Sequence, residues 1–320
     1  MISIYPSDDF YDTLEQLQKQ TEVQQVQPGY WTFKGNAIQG KVLYAQMEGY
    51  QYRLWRWKSA KGICYKRKAN NSNSSYLNMA SGTGQMQSEL EALNLNQGRI
   101  INSEFHNFKT NSEVTIQGPA EITTASFIID NAYLMQFAPE GSTAAQLLQQ
   151  PDSYAYYDVL TPEDQQVLQH LLAFDPQSLF HSAWVTAETK RLMLQKLIGF
   201  WQHIEEEGSI KISDQYLQRM VAVREMFNDF HKPPTIEQIA SFVGLNPTKA
   251  GALFKQVYGA TPYQFFNKKR MNEAHYLVLN SQLQIAEIGV RLGFASMSHF
   301  SKAFEKEFGL LPKRLQLQNL

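Results

Sequence analysis

Ser298, His299, Ser301 and Lys302 fall within one short stretch near the end of the chain, with Phe300 and Phe304 at helical spacing between and after them. Hydroxyl, imidazole and ammonium groups of this size can enter a DNA major groove, where serine and histidine bond base edges or phosphates and lysine reaches guanine O6 or N7. Such contacts require the groups to stand on a rigid element. Ahead of them Ile285, Ile288 and Leu292 repeat at helical spacing, Gly293 ends that helix, and a serine-rich step opens the next. The pattern predicts helix, short turn, helix, with the second as the recognition helix.

The same grammar occurs earlier. Tyr216 to Phe230 reads as a helix with Leu217, Met220, Val221 and Phe227 at core spacing. Thr235-Ile236-Glu237-Gln238 is a capping box, followed by Ile239, Ala240, Val243 and Gly244. Asn246 and Pro247 then start a helix that carries Thr248, Lys249, Gly251 and Ala252 outward and Leu253 and Phe254 inward, and Gly259 closes it. Ile236 falls on Ile285, Ile239 on Ile288 and Gly244 on Gly293; after a one-residue insertion Phe254 falls on Phe304, Gly259 on Gly309 and Pro262 on Pro312. An internal repeat of this kind predicts two helix-turn-helix units. Between them Thr261 and Pro262 begin a helix to about Asn280. About 20 residues span ~30 Å, close to the ~34 Å of one DNA turn.

Gly293-Phe294, Ser298-His299-Phe300, Phe304, Gly309 and Pro312 together resemble the C-terminal signature of AraC/XylS-type transcription regulators, and the resemblance reaches back to about Leu217. It implies base-reading roles for Ser298, His299 and Lys302, with Thr248, Gly251 and Ala252 at the matching places of the first unit and Lys249 beside them. Lys255, Ser296 and Ser301 complete the expected DNA-contacting set. Leu311 replaces the usual Thr before Pro312, and Leu315 an aromatic residue. Asn246-Pro247-Thr248-Lys249 with Phe254 to Gly259 is most similar to the siderophore-responsive branch. The resemblance further implies double-stranded promoter or operator DNA as partner, contact with RNA polymerase, a homodimer and a cupin-like barrel ahead of the reader; an activator is the output expected, with repression left open, and the polar, mixed-charge first 30 residues point to a cytoplasmic location.

The residues before the reader fit that expectation. Asp8 to Gln20 reads as an amphipathic helix with Phe10, Leu14 and Leu17 on one side. Gly40–Gln46, Tyr50–Lys58, Gly62–Lys68, Arg99–Phe108, Val114–Gln117 and Thr123–Ile129 read as short strands separated by turn material, including an Asn/Ser loop at 70–75. Metal-dependent barrels need several convergent ligands. Between Tyr30 and Pro139 there is one histidine, His106, with Glu104 on the same strand face. No nucleophile motif accompanies it, and Gly82-Thr83-Gly84 reads only as a turn. No metal, cofactor or catalytic residue is therefore expected, and the chain is not read as an enzyme. Alternation sends Arg53, Trp55 and Trp57 to one strand face. With Trp31 they suit a pocket for a flat, anionic or metal-chelating effector if that face points inward; the plainer reading, which the residues favour, is that these rings are simply core.

From Gly141 the pattern turns helical. Thr161-Pro162-Glu163-Asp164 is a helix start, and Leu194, Leu197, Ile198, Trp201 and Ile204 form a stripe that must be buried, either in a dimer contact or on the chain's own barrel. The fold expected is α+β: a cupin-like sensor barrel with an N-terminal helix at 1–140, a helical dimerisation or packing segment at 141–208, a linker at 209–215, and an all-α DNA-binding domain of two units joined by a long helix at 216–320. Among 320 residues, 43% are hydrophobic and 18% charged, which fits a globular protein. No apolar run reaches the ~20 residues of a membrane helix, and no secretion signal opens the chain. Cys64 is the only cysteine. The net charge of -1 divides unevenly: from Ser213 onward 13 Lys and Arg face 8 Asp and Glu, so the basic part is the one carrying the repeat. The function expected is a sequence-specific transcription regulator controlled by a small molecule in the barrel. The alternative is a regulator without such sensing, whose N-terminal part dimerises or binds a protein partner.

Overall fold

The computed structural model describes residues 2–4, 9–67, 72–87, 98–107, 112–149, 154–173, 181–207 and 214–318. They fold as two compact units, Met1–Ala222 and Val223–Leu320. Residues 209–213 of the expected linker and 70–71 of the Asn/Ser loop lie outside the described residues.

The first unit runs β1 (Ile2–Ile4), α1 (Phe10–Gln18), β2 (Glu22–Gln27), β3 (Tyr30–Lys34), β4 (Ile38–Met47), β5 (Tyr50–Ser59), β6 (Ile63–Arg67), β7 (Ser74–Gln87), β8 (Gly98–Asn107), β9 (Ser112–Asp130), α2 (Asn131–Met135), α3 (Thr143–Gln149), β10 (Ala155–Val159), α4 (Pro162–Ala173), α5 (His181–Glu207) and α6 (Asp214–Ala222). Its main sheet has the order β10-β8-β7-β9-β5-β4-β3-β2, with β6 on β9 and β1 parallel to β6. Among the described residues these pairings do not return to their start. The expected barrel is thus an open, otherwise antiparallel sheet.

Two sequence expectations change here. Val114–Gln117 and Thr123–Ile129 are not separate strands but parts of β9, which exchanges one partner for another: Ile116 faces Ile63 of β6, and Ala120 faces Ser59 of β5. The exchange occurs at Gly118-Pro119, where proline has no N–H to give a ladder and a Cβ on Gly118 would lie 2.5 Å from the Gly62 nitrogen. Gly82-Thr83-Gly84 is not a turn either. It lies inside β7 between β8 and β9, and a side chain on Gly82 would strike the β9 backbone at Glu121 and Ile122.

Both sheet faces are covered in part. On one, Leu43, Leu54, Leu77, Phe105 and Phe127 join Leu168, Val185, Leu192, Leu197, Phe200 and Ile204 of the helices in the largest core. On the other, α1 lays Phe10, Leu14 and Leu17 against Trp31, Phe33, Val42 and Trp57. The α5 stripe therefore packs on its own sheet. Leu197 and Ile204 are buried, Leu194 and Trp201 adjoin the core, and only Ile198 stays outside, 58% exposed. Cys64 is buried, and its Sγ accepts a hydrogen bond from the Thr115 hydroxyl at 3.3 Å.

The second unit begins with a 3-10 segment, Val223–Asn228, so the helix expected over 216–230 is broken at this point. It continues with α7 (Ile236–Val243), α8 (Pro247–Tyr258), α9 (Pro262–Asn280), α10 (Ile285–Arg291), α11 (Met297–Phe308) and α12 (Pro312–Gln318).

At the start of α4 the Thr161 N–H donates to Asp164 Oδ2 at 3.0 Å and the Asp164 N–H to Thr161 Oγ1 at 3.2 Å. The Asp164 carboxylate is 1% exposed and pairs with Lys196 of α5. Removing one partner of a buried pair leaves an uncompensated charge. Lys196→Ala is accordingly expected to lower the unfolding free energy by ~3 kcal/mol, read by urea titration followed by circular dichroism. A loss below about 1 kcal/mol would mean that water reaches Asp164.

Candidate nucleic-acid interface and aromatic patch

The two repeats of the second unit share one frame. Ile239 and Ile288 are fully buried, as are Phe254 and Phe304. Gly244 and Gly293 follow their helices with φ of 84° and 74°, and Gly259 and Gly309 cap α8 and α11 with φ of 65° and 73°. Each second helix opens on a side-chain cap: Asn246 accepts the Lys249 N–H at 2.9 Å, and Ser296 the His299 N–H at 3.3 Å. The extra residue of the second unit lies in the turn before α11. It accompanies Phe294, whose ring contacts Phe300 at 5.2 Å and lies 3.9 Å from the Arg270 guanidinium. Arg270 also stacks on Phe266 at 4.9 Å and donates to Asn267 at 2.6 Å. Burial holds its guanidinium below the usual value. One side chain of α9 thereby fixes the turn from which α11 starts.

This frame decides which of the expected contact residues face outward. Phe300 and Phe304 point inward, leaving Ser298, His299 and Lys302 exposed in the N-terminal half of α11, while Ser301 is half-buried. Ser296 is exposed, but its hydroxyl is engaged as the helix cap. On α8, Thr248, Lys249 and Ala252 are exposed, and Gly251 and Lys255 half-buried. The two surfaces differ in charge. The α8 sequence has Lys249 and Lys255 and no acid, whereas α11 follows Lys302 with Glu305, Lys306 and Glu307.

The aromatic patch forms in the first unit, but beneath a lid. Phe10 of α1 stacks on Tyr44 at 4.3 Å and meets Trp31 at 5.0 Å and Trp55 at 6.2 Å, with the Arg53 guanidinium 5.8 Å from its ring. Trp57 packs with Leu17, Phe33 and Ile38 instead. Arg53 is 4% exposed and donates to Gln51 at 3.0 Å. Strand alternation indicated Arg53, Trp55 and Trp57 as one face; it gave no sign of the polar row that register places beside Arg53. That row is Ser126, Asn78 and Glu104, in which Ser126 donates to Asn78 at 2.8 Å and Asn78 to Glu104 at 3.1 Å. His106 is buried next to Tyr76, its Nδ1 3.0 Å from the Asn107 carbonyl. No His, Cys, Asp and Glu among the described residues cluster as a metal site would require.

Residues 239–318 match a family described as a helix-turn-helix domain. The virulence regulon transcriptional activator VirF of Yersinia enterocolitica is 25% identical over 170 residues, which are 50% of this chain and 59% of that protein. The HTH-type transcriptional regulator ExsA of Pseudomonas aeruginosa is 37% identical over 71 residues, 22% of this chain and 26% of its own length. The chain thus spans between about a quarter and three-fifths of these relatives. A crystal structure of a transcriptional regulator with an AraC-type DNA-binding domain, from Chromobacterium violaceum, is 29% identical, covers 32% of this chain and 91% of that one, and has a TM-score of 0.29.

Two glycines should respond oppositely to alanine. At Gly293 the backbone is left-handed and a Cβ would run into the Phe230 carbonyl oxygen, so Gly293→Ala is expected to destabilise the second unit by at least ~1 kcal/mol. At Gly251 a Cβ would meet only Ile236 Cδ1, at 3.7 Å, so Gly251→Ala is expected to stabilise it by up to ~1 kcal/mol. Thermal melts of both variants check the pair; a neutral Gly293→Ala would show that the turn before α11 yields.

Proposed function

We propose that the chain is a sequence-specific DNA-binding transcription regulator of the AraC/XylS type, a reading supported by the helix-turn-helix match in its C-terminal part and by the similarity to a transcriptional activator. The observation that carries this reading is the repetition of one frame. Two helices with matched cores and matched left-handed caps present exposed polar groups, and a helix of 19 residues joins their units. At ~1.5 Å per residue that helix is about 28 Å long, near the rise of one DNA turn. Ser298, His299 and Lys302 are read as contacts to base edges, the N-terminal half of a recognition helix being the part that reaches the groove floor. Thr248, Lys249 and Ala252 face out from a helix with no acidic side chain and a small residue at Gly251. This favours a close approach to the phosphate backbone, with Lys249 and Lys255 neutralising charge.

The rest of the reading concerns the whole chain. We take the first unit as a sensor for a small molecule, the regulator as an activator that contacts RNA polymerase, its assembly as a homodimer and its location as cytoplasmic. Ile198, the exposed member of the α5 stripe, supports the dimer. Among the described residues no helix is long and apolar enough to cross a membrane. A second reading, in which the first unit binds a protein partner instead, is favoured by the coverage of Trp31, Arg53 and Trp55 by Phe10.

DNA selection with the purified chain, followed by fluorescence anisotropy on the selected site, separates the roles. Lys302→Ala is expected to lose ~1–3 kcal/mol and relax discrimination at one base position. Lys249→Ala should weaken all sequences alike and reduce the salt slope by about one. Gly251→Ala, more stable in isolation, should bind DNA less well if the backbone must come close. Selection that returns no preferred sequence would defeat the regulator reading.

A further inference from the structure

The register of four strands divides one sheet face into unlike halves. Tyr30, Leu43, Leu54 and Ala125 stand opposite one another and belong to the largest core. The next row on the same face is Thr32, Lys41, Arg56 and Thr123, and the one after it Lys34, Gln39, Lys58 and Glu121. The apolar core stops there and a basic floor begins. It borders a cavity of about 600 Å³ whose lining includes Glu22, Thr32, Lys34, Lys41, Arg56 and Lys58. That volume is within the usual range of small-molecule sites.

Charge on this floor is unbalanced: four cations, Lys34, Lys41, Arg56 and Lys58, stand against two carboxylates, Glu121 and Glu22, the second opposite Lys34 across the β2–β3 ladder. Lys41 faces Arg56 directly across the β4–β5 ladder, with Lys34 and Lys58 on its diagonals. Like charges placed opposite each other destabilise a sheet. Glu121 is occupied by Arg56 at 3.1 Å and by Lys58 at 2.8 Å. Burial alone would raise the Glu121 carboxyl, but those hydrogen bonds and charges hold it below its usual value. Among the described residues no carboxylate pairs with Lys41. Burial first, and Arg56 second, keep its ammonium below the usual lysine value. A half-buried ammonium facing a guanidinium over an open cavity is stabilised by any anion that can lie between them, through charge-assisted hydrogen bonds to both.

We propose that this cavity binds a small polyanion, a molecule bearing at least two carboxylate or phosphate groups, held by Lys41 and Arg56 with Lys34 and Lys58 beside them. The site lies on the opposite sheet face from the patch of Arg53 and Trp55. It gives the sensor reading a location and a ligand class, and rests on that reading only for its effect on transcription, since binding is measured without DNA.

The test is calorimetric titration of the full chain with citrate and, separately, with pyrophosphate, at ionic strength held constant with potassium chloride. Saturable binding of at least one is expected; the arm that binds more tightly distinguishes carboxylate from phosphate recognition. Lys41→Gln is expected to weaken it at least about tenfold, as the loss of one charge-assisted contact implies. Lys190→Gln, an exposed charge on α5, should leave it unchanged. Thr32→Glu, which sets a carboxylate opposite Lys41, should abolish binding while raising the melting temperature, and serves if Lys41→Gln does not fold. Absence of saturable binding at millimolar concentration, or equal binding by Lys41→Gln, overturns the proposal. So does a loss of DNA affinity in Lys41→Gln without any small-anion binding, which would assign the floor to DNA. Failure of sequence selection on DNA would leave these titrations unaffected, so the two readings fail separately.

Discussion

Everything the reader surface presents depends on the burial of aromatic rings along α9. A helix as short as α10 does not hold its own shape in water, because nucleation costs more than so few hydrogen bonds return. Packing supplies the difference. Phe265 meets Phe227 at 5.2 Å, Phe254 at 5.7 Å and Tyr258 at 4.7 Å, which closes the first repeat around the start of α9. Further along, Met271, Ala274, Leu277 and Val278 receive Ile288, Leu292, Phe300 and Phe304. Each such ring contributes ~2–3 kcal/mol on burial. The helix that sets the spacing of the two repeats is thus also the element on which both fold.

The same economy of residues appears at the turn before α11. Gly293 is confined by the Phe230 carbonyl, and Phe294 is clamped between Phe300 and Arg270. A cation over a ring in a half-buried place is worth more than an exposed ion pair. The turn is accordingly fixed by α9 and by the segment before α7 as well as by its own residues.

In the first unit, two demands meet on one sheet. One half of a face is covered by α4 and α5, whose charged pair of Asp164 and Lys196 is buried with them; the other half carries cations beside a cavity. The opposite face is occupied by α1 over Trp31 and by the polar row of Ser126, Asn78 and Glu104.

What the sequence by itself determined is local. Capping residues, left-handed glycines and the spacing of Ile239 and Phe254 against Ile288 and Phe304 made both repeats legible, since each is built from neighbours in the chain whose period declares their inward face. Several strands were legible for the same reason, and Arg53, Trp55 and Trp57 as one face. Only the tertiary structure decided what came to lie on that face, that Val114–Gln117 and Thr123–Ile129 form one strand with successive partners, and that the α5 stripe turns to its own sheet. It also brought Lys34, Lys41, Arg56 and Lys58 together from three strands. Side-chain period reports which residues share a face; cross-strand register, set by pairing between residues far apart in sequence, reports which faces meet.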